Sequence, residues 1–325
     1  MTQLKIATWN IENMNNYFSG DKPKEDADSD NHFQQIRDVI LGIDADILGI
    51  QEGPNKEIEM NRFLEKHLPG KYKTVIASPR DRHPINNTSY SDRQISFILY
   101  RDDPKFTHNQ IERTEHDGPF ADWRTTIDPE HPDSLYFHHR LPVEMDFTYD
   151  DGTKNFTVRL LCLHTKSKKP NYAKPGDAKN NRRILLAQAI KIRDYIDSIL
   201  DNDLNAPVIV VGDLNDGIGL DPFEYVLGGD FVGILTGSVR MPYRLFDNAC
   251  KIQILENLQE PGKHYSISFN ADGEIQKILI DHILFSPYFK NNDLIEESTG
   301  KIREDLRNSF PNASDHTPIE AVFSF

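Results

Sequence analysis

Cysteine is scarce in this chain of 325 residues, which contains only Cys162 and Cys250. Two cysteines do not make the disulfide framework of a small secreted domain, and no Cys-x-x-Cys pair indicates a structural zinc site. We therefore expect a reduced, cytoplasmic setting, with export left open if a leader has been removed. Cys162 lies in the apolar run 160–163 and is expected to be a small core residue.

Long hydrophobic runs are missing as well. No stretch approaches the roughly 20 apolar residues that span a bilayer, so no membrane span is expected. The chain also lacks the glycine-rich loops of nucleotide-binding proteins and the Gly-x-Ser-x-Gly elbow of serine hydrolases. Without an evident nucleophile, attack by an activated water is favoured over a covalent intermediate.

The net charge of −14 disfavours general affinity for a polyanion such as a nucleic acid backbone. One segment, 166–183, departs from this balance, with seven basic residues and one acid. Its basic residues are Lys166, Lys168, Lys169, Lys174, Lys179, Arg182 and Arg183. A solvated loop would explain the segment, but its place directly after His164 favours a clamp that faces phosphate.

Short apolar segments rich in strand formers alternate with a few segments of helical periodicity. Strands are predicted at 5–11, 46–52, 72–77, 94–101, 141–149, 156–165, 207–211, 265–270, 275–285 and 319–325. Helices are predicted at 33–42, through Phe63 and Leu64, and at 185–199, whereas 15–31 and 102–140 are predicted to be loops. Crossovers and hairpins together imply mixed β-sheets, and we expect one domain over residues 1–325.

Polar side chains stand where the predicted strands end. The segments are Trp9–Glu12, Gln51–Glu52, Leu163–His164, Gly212–Asn215, Ile280–His282 and Ser314–Pro318. Carboxylates, amides and imidazoles together can hold a hard cation, polarise a phosphate and move protons. This set is the main functional signal of the sequence.

Two of these segments have a structural alternative that the sequence leaves open. Glu52 could be a Mg²⁺ ligand at a strand end, or an acid that favours the N-terminus of a helix. Asp213 and Asn215 follow a fully apolar strand and share one side by alternation, so they could orient water and phosphate. An Asx-type turn would also explain this pair.

Asp281 and His316 form the second half of the signal. Asp281 is predicted to lie in the middle of an apolar strand, where a buried carboxylate needs a partner. A carboxylate that orders an imidazole fixes its tautomer and raises its basicity, which makes His316 the natural partner. His282 points to the opposite face and is expected to be structural. His164 alone would also be taken as structural, but its neighbours make it a catalytic candidate.

Together these segments resemble the endonuclease/exonuclease/phosphatase family, which includes deoxyribonuclease I, exonuclease III and inositol-polyphosphate 5-phosphatases. Six ordered motifs carry the resemblance over nearly the whole chain. It implies an α/β fold, a four-layer sandwich with two mixed β-sheets packed face to face and helices outside. The motif details match none of the branches well, since Leu279-Ile280-Asp281-His282 replaces the Cys-Asp-Arg segment of the inositol phosphatases.

The resemblance also implies roles for individual residues. Glu52 would be the main ligand of Mg²⁺ (or Mn²⁺), supported by Asn10, Glu12 or Asp315. Asp213 would activate water or handle a proton, and Asn215 would position the phosphate. His316, oriented by Asp281, would stabilise the transition state or transfer a proton, and His164 would bind phosphate or assist the leaving group. The residues expected to bind substrate phosphate are Asn10, Arg93, Lys166 and Lys168.

Two enzyme functions and one non-catalytic function remain open at this point. The leading hypothesis is a divalent-metal-dependent phosphodiester hydrolase, a nuclease with DNA or RNA as substrate. The alternative is a phosphatase or phosphodiesterase that acts on a small phosphorylated metabolite or a lipid headgroup, which the acidic net charge favours. A binding module without activity is disfavoured by the intact set of acids, amides and imidazoles. The oligomeric state is not indicated by any pattern.

Overall fold

Two mixed β-sheets dominate the computed structural model, which describes residues 2–19, 21–77, 94–111, 113, 118–170, 174, 176–271, 273–296 and 299–325. The strands are β1 (Gln3–Asn10), β2 (Phe18–Ser19), β3 (Lys22–Pro23), β4 (Ile47–Gln51), β5 (Tyr72–Val75), β6 (Phe97–Arg101), β7 (Phe106–Gln110), β8 (Trp123–Thr125), β9 (Ser134–Tyr136), β10 (Val143–Asp150), β11 (Asn155–His164), β12 (Val208–Asp213), β13 (Asp247–Asn248), β14 (Ile267–Ala271), β15 (Glu274–Ile278), β16 (Asp281–Phe285), β17 (Lys301–Ile302) and β18 (Ile319–Ser324). The helices are α1 (Ala27–Ile43), α2 (Glu57–His67), α3 (Asp177–Asn202), α4 (Pro222–Leu227), α5 (Phe231–Thr236), α6 (Lys251–Gln259), α7 (Pro287–Asn291) and α8 (Glu304–Ser309).

The two large sheets have six strands each. The first has the order β17-β18-β1-β4-β6-β5 and the second the order β13-β16-β12-β11-β10-β7. In each sheet one central pair is parallel, β1 with β4 and β11 with β12, and the other pairs are antiparallel. None of the helices in the described part of the chain is long and apolar enough to cross a membrane.

Apolar side chains fill three layers between the elements. Ile6 and Ile47 of the first sheet pack against the second sheet, whose Leu160 and Ile209 are equally buried. The helices α1 and α2 cover the outer face of the first sheet, while α3 and α5 cover that of the second. Because each sheet buries both faces, its central strands are continuous apolar runs. The predicted four-layer α/β sandwich is confirmed.

The predicted loop 15–31 is wrong in its second half, where α1 begins at Ala27. The helix starts there because the side chain of Asp26 accepts a hydrogen bond from the Ser29 backbone nitrogen at 2.7 Å. The acids Asp28 and Asp30 follow in the first turn, where the helix dipole favours negative charge. The polar residues that suggested a loop therefore form the beginning of a helix.

Two other predictions also need correction. The segment 275–285 is not one strand, because β15 pairs only with β14 in an exposed hairpin and β16 joins the second sheet after a break at 279–280. Asp281 is thus the first residue of β16 and not the middle of a strand. The segment 102–140 is not wholly a loop, because β7 forms an edge of the second sheet and β8 pairs with β9.

The register of the central strands places the polar strand ends at one edge of the sandwich. Asn10 is paired with Gln51 in the first sheet. In the second sheet His164 is paired with Asp213, which is also paired with Asp281. Parallel neighbours end at the same edge, so the fold itself brings the polar side chains of both sheets together.

A substitution at Gly212, which precedes Asp213, tests how closely the backbones of β11 and β12 approach each other. Its φ is +148°, and a Cβ atom there would lie 2.0 Å from the Leu163 carbonyl oxygen. We expect Gly212→Ala to lower the free energy of unfolding by about 2 to 5 kcal/mol, from clash and strain together. Urea denaturation measures this difference.

Gly152 provides the matched control, since its φ of +82° also disfavours a side chain but no atom would lie within 4 Å of a Cβ atom. Gly152→Ala should therefore cost only about 1 to 2 kcal/mol, the penalty of a left-handed backbone. Equal losses in the two variants would contradict the close approach of the strand ends.

Candidate active site

Four polar side chains meet at the seam between the two sheets. Asn10 Nδ2 donates a hydrogen bond to Asp213 Oδ2 at 2.9 Å and lies 3.4 Å from Glu52 Oε1. His164 Nε2 lies 3.7 Å from Asp213 Oδ2 and 3.8 Å from Glu52 Oε1. Asn10 and Glu52 come from the first sheet, and the other two come from the second. The site therefore exists only because the sheets pack face to face.

His316 and Asp281 form a hydrogen-bonded pair beside this group. His316 Nδ1 lies 2.8 Å from Asp281 Oδ2, and its Nε2 lies 3.9 Å from Asp213 Oδ2. An ionised carboxylate only accepts hydrogen bonds, so the proton of this bond belongs to Nδ1. The backbone is fixed as well, because Trp9 Nε1 donates to the His316 carbonyl oxygen at 3.1 Å. The predicted Asp281–His316 partnership is present.

Burial and neighbouring charges give the three central groups different proton affinities. Burial, with the charge of Asp281, raises the pKa of Asp213 to about 7. Burial alone would lower the pKa of His316, but the Asp281 carboxylate raises it to about 10. Burial lowers the pKa of His164 well below its usual value, and Arg140 adds to this effect. Near neutral pH the site therefore holds a carboxyl group that can take up a proton, an imidazolium and a neutral imidazole.

Three carboxylates stand together on one side of this group. Glu52 Oε2 accepts hydrogen bonds from the Asn13 backbone nitrogen and from Gln94 Nε2, both at 3.1 Å. Glu12 Oε2 accepts one from the Asp315 backbone nitrogen at 3.0 Å. Burial followed by the charge of Asp315 raises the pKa of Glu12. Burial raises the pKa of Asp315, and the charge of Glu52 contributes in the same direction.

This acidic side has the donors that a hard divalent cation requires. Carboxylate and amide oxygens suit Mg²⁺ and Mn²⁺, and here Glu12, Glu52 and Asp315 lie close enough for their charges to repel one another. The His316 ring, whose Nε2 lies 3.8 Å from Asp315 Oδ1, acts against this repulsion. A second group of possible ligands is Asp213, Asp281 and His316, whose ligand atoms all lie within 4.8 Å of one another. The Asp281–His316 hydrogen bond already uses two donors of that second group, which leaves the acidic side as the better fit.

Asn215 is held by a turn. Its backbone nitrogen donates to Asp213 Oδ1 at 2.8 Å, and its Nδ2 donates to the Thr165 carbonyl oxygen at 3.2 Å. Its φ of +50° is left-handed, which asparagine tolerates better than most residues. The Asx-type turn that the sequence offered as an alternative is therefore present, and it also positions Asp213.

The basic segment after His164 does not act as one surface. Lys168 Nζ contacts Asp216 Oδ1 and Glu224 Oε1, and both carboxylate side chains are fully buried. The prediction that Lys168 binds substrate phosphate is therefore not supported, because its ammonium is already held inside the protein. Lys166 is half-buried and, with Lys169 and Lys174, lines an open cleft at the start of α3. Arg93 lies outside the described residues.

Arg140 is a site residue that sequence reasoning missed. Its Nη2 donates to Gln94 Oε1 at 3.3 Å, and Gln94 in turn donates to Glu52. Its charge acts on both His164 and Lys166, lowering the pKa of each. Arg140 lies at the end of a segment without periodicity, so only the tertiary structure reveals that it faces the site.

His282 lies on the opposite face from the site, as expected. Its Nδ1 is 2.9 Å from Asn248 Nδ2, and its Nε2 is 3.0 Å from the Asp216 carbonyl oxygen. Burial lowers its pKa, so the ring is neutral and both nitrogens serve structural hydrogen bonds.

The pKa of His316 tests the pairing with Asp281 directly. In the metal-free protein we expect its ring to titrate at about 10. Asp281→Asn removes the attracting charge, so burial should dominate and the pKa should fall below 6.5. NMR titration of labelled histidine measures both values, with Asp305→Asn as a control that removes a carboxylate paired with Arg303 on the surface. An unchanged His316 titration in Asp281→Asn would refute the pairing.

The fold of this protein is similar to that of several solved structures. The solved structure of TDP2 from C. elegans has a TM-score of 0.52 and 14% identity, covering 99% of this chain and 75% of that chain. The human Nocturnin catalytic domain with bound sulfate anion has a TM-score of 0.52 and 16% identity, covering 99% of this chain and 94% of that chain. D. rerio TDP2 complexed with single strand DNA product has a TM-score of 0.52 and 12% identity, covering 100% of both chains.

At these identities the structural likeness shows the fold alone. A search of curated protein sequences gives no match. The sequence model of the Endonuclease/Exonuclease/phosphatase family, however, matches residues 7–316, which is nearly the whole chain and includes the polar segments that form the site. The chain therefore belongs to the endonuclease/exonuclease/phosphatase family, a family of hydrolases that act on phosphoester bonds.

Proposed function

We propose that the protein is a Mg²⁺- or Mn²⁺-dependent phosphodiesterase, a nuclease that cleaves DNA or RNA by direct attack of water. The observation that carries the proposal is the position of Asp213. Its carboxylate lies within 4 Å of two imidazoles, His164 and His316, of which one is charged and the other neutral. A proton acceptor between two groups that can contact phosphate oxygens suits hydrolysis at phosphorus.

Asp213 is the group best placed to accept a proton from the attacking water. Asn10 Nδ2 and the Asn215 backbone nitrogen each donate to one of its oxygens, so the carboxylate has a fixed orientation. Its raised pKa increases its basicity relative to an ordinary aspartate. Both effects favour general base catalysis near neutral pH.

The two imidazoles would act on the phosphate itself. His316 is kept protonated by Asp281, so its Nε2–H can stabilise the negative charge that grows on phosphate oxygens. His164 is neutral, and its Nδ1 has no hydrogen-bond partner among the described residues. Its Nε2 would bind a phosphate oxygen or assist the leaving group.

The acidic side would hold the cation, with Glu52 as the main ligand and Glu12 and Asp315 in support. A bound divalent ion would neutralise phosphate charge and increase the electrophilicity of phosphorus. The charge of Arg140 acts on His164 and Lys166, and we assign Arg140 to phosphate binding in place of Lys168. Asn10 serves the site mainly through Asp213.

Three observations bear on the kind of substrate. The cleft lined by Lys166, Lys169 and Lys174 is a local positive surface that could follow a polynucleotide backbone, although Asp177 also lines it. The likeness to D. rerio TDP2 in complex with a single strand DNA product agrees with this choice. The net charge of −14 favours the alternative, a small phosphorylated metabolite or lipid headgroup.

A substrate panel decides between these two functions. Plasmid DNA, single-stranded DNA, RNA and bis-p-nitrophenyl phosphate are incubated with and without Mg²⁺ or Mn²⁺. We expect cleavage of at least one polymer, complete loss of activity in EDTA and recovery on adding either ion, because the acidic side then regains its cation. Glu52→Gln should need a higher ion concentration for the same rate.

Hydrolysis of the small diester alone would establish the alternative, and no hydrolysis of any substrate would reject both. The double variant Lys169→Glu/Lys174→Glu tests whether the cleft binds the polymer, independently of the hydrolysis step. It should weaken polymer binding and flatten its salt dependence while leaving the small diester unaffected.

His316 is expected to have the largest single effect on rate. His316→Ala should lower kcat by roughly 10²- to 10⁴-fold, because it removes the charged group that faces the phosphate. Steady-state kinetics on the preferred substrate measure the loss. His264→Ala is the matched control, since that imidazole pairs with Glu256 in a partly exposed position outside the site. Near-wild-type kcat in His316→Ala would refute the assigned role.

A further inference from the structure

Lys168 lies in an internal ion cluster next to the candidate site. Its ammonium contacts the carboxylates of Asp216 and Glu224 and lies 4.0 Å from Asp221 Oδ2. The side chains of Asp216 and Glu224 have no exposed surface, and that of Lys168 is 22% exposed. The Lys168 ammonium is therefore surrounded by three acids that all belong to one segment of the chain, 216–224.

The two buried carboxylates depend on this ammonium. Apart from Lys168, neither Asp216 Oδ1 nor Glu224 Oε1 has a hydrogen-bond partner among the described residues. Burial raises the pKa of Asp216 to about 7, and the charge of Lys168 acts against that rise. Without the lysine two buried acids would face each other with no opposite charge beside them, which is among the more costly arrangements in a protein.

Asp216 connects the cluster to the catalytic turn. It directly follows Asn215, whose backbone nitrogen holds Asp213. Its own backbone oxygen accepts from His282 Nε2 at 3.0 Å, and its Oδ2 accepts from the Phe231 nitrogen at 2.6 Å. The carboxylate is therefore held on one side by α5 and on the other by Lys168.

Lys168 connects the same cluster to the other half of the site. It is four residues from His164, in the loop that follows β11. Arg182 of α3 fixes this loop, because its Nη1 donates to the Lys168 carbonyl oxygen and its Nε donates to Asp221 Oδ2, each at 2.7 Å. His164 and Asp213 end the neighbouring strands β11 and β12, where Thr165 already bonds to the Asp213 and Leu214 carbonyl oxygens. The ammonium of Lys168 and the guanidinium of Arg182 add a second connection between the loops that follow these strands.

We propose that Lys168 is a positioning residue, whose contacts with Asp216 and Glu224 hold the turn 213–216 against the loop that follows His164. The inference rests on the proposed function, since it concerns the geometry of that same site. Lys168 itself touches neither the reacting atoms nor the substrate. Its loss should let the turn move, and a displacement of about 1 Å at a catalytic group can cost about 100-fold in rate.

Lys168→Met removes the ammonium and keeps most of the side-chain volume. We expect kcat to fall by roughly 10- to 100-fold on a small diester and on a polymer alike, with KM nearly unchanged. If Lys168 instead bound substrate phosphate, its removal would raise KM, and mainly for the polymer. Lys168→Arg should restore part of kcat, because a cation again faces both acids.

Lys179→Met is the matched control. Lys179 belongs to the same basic segment and also bridges two acids, Asp128 and Glu130, with 27% of its side chain exposed. It is not part of the site, so its removal should leave kcat and KM unchanged. Should Lys168→Met fail to fold, the double variant Lys168→Met/Glu224→Gln removes one of the two unpaired acids and takes its place.

Hydrogen–deuterium exchange gives a readout that does not need activity. Lys168→Met should increase exchange in the peptides that cover 212–217 and 164–168, and Lys179→Met should not. Unchanged exchange there, or an unchanged kcat, would overturn the positioning role, and a selective rise of KM for the polymer would replace it by phosphate binding. If the wild-type protein hydrolyses no phosphoester, the proposed function fails while exchange still decides the structural part.

Discussion

The burial of the Asp213 carboxylate at the seam between the two sheets is the constraint on which the site depends. The residue is only 2% exposed, and a buried charge without partners is costly. Its partners come from both sides of the seam, because Asn10 belongs to the first sheet and the Asn215 nitrogen to the second. A shift of either sheet would break the bond from Asn10 and leave the carboxylate only the local bond from the Asn215 nitrogen. Packing and site geometry are therefore stabilised by the same hydrogen bonds.

Acidic and basic side chains both lie near this carboxylate. Glu12, Glu52 and Asp315 form an acidic side whose mutual repulsion a cation would relieve. Arg140 acts on His164 and Lys166, and Gln94 links its guanidinium to Glu52 through two hydrogen bonds. We expect the substrate phosphate to contact both a cation on the acidic side and this guanidinium. This arrangement allows a strongly acidic protein to bind an anion, because only the local field acts at such short distances.

The basic segment 166–183 illustrates how a run of charge can serve several purposes. Its sequence suggested one surface, either solvated or facing phosphate. In the structure Lys168 neutralises buried acids, Lys179 bridges Asp128 and Glu130, and Lys166, Lys169 and Lys174 line a cleft. The acids that bind Lys168 and Lys179 lie 48 to 56 residues away in the chain, so local composition could not distinguish these lysines from their neighbours.

The sequence by itself determined most strands of the two large sheets and the set of polar residues at their ends, because each depends on a local pattern of apolar runs that stop at a carboxylate, amide or imidazole. It also supported the four-layer fold through its family motifs, and the pairing of His316 with Asp281 through the cost of a buried carboxylate. Only the tertiary structure decided that Arg140 faces the site, that Lys168 turns inward and that Asp281 begins a strand. Each of these depends on which distant residue lies opposite. The packing of the two sheets sets that relation, and local periodicity carries no information about it.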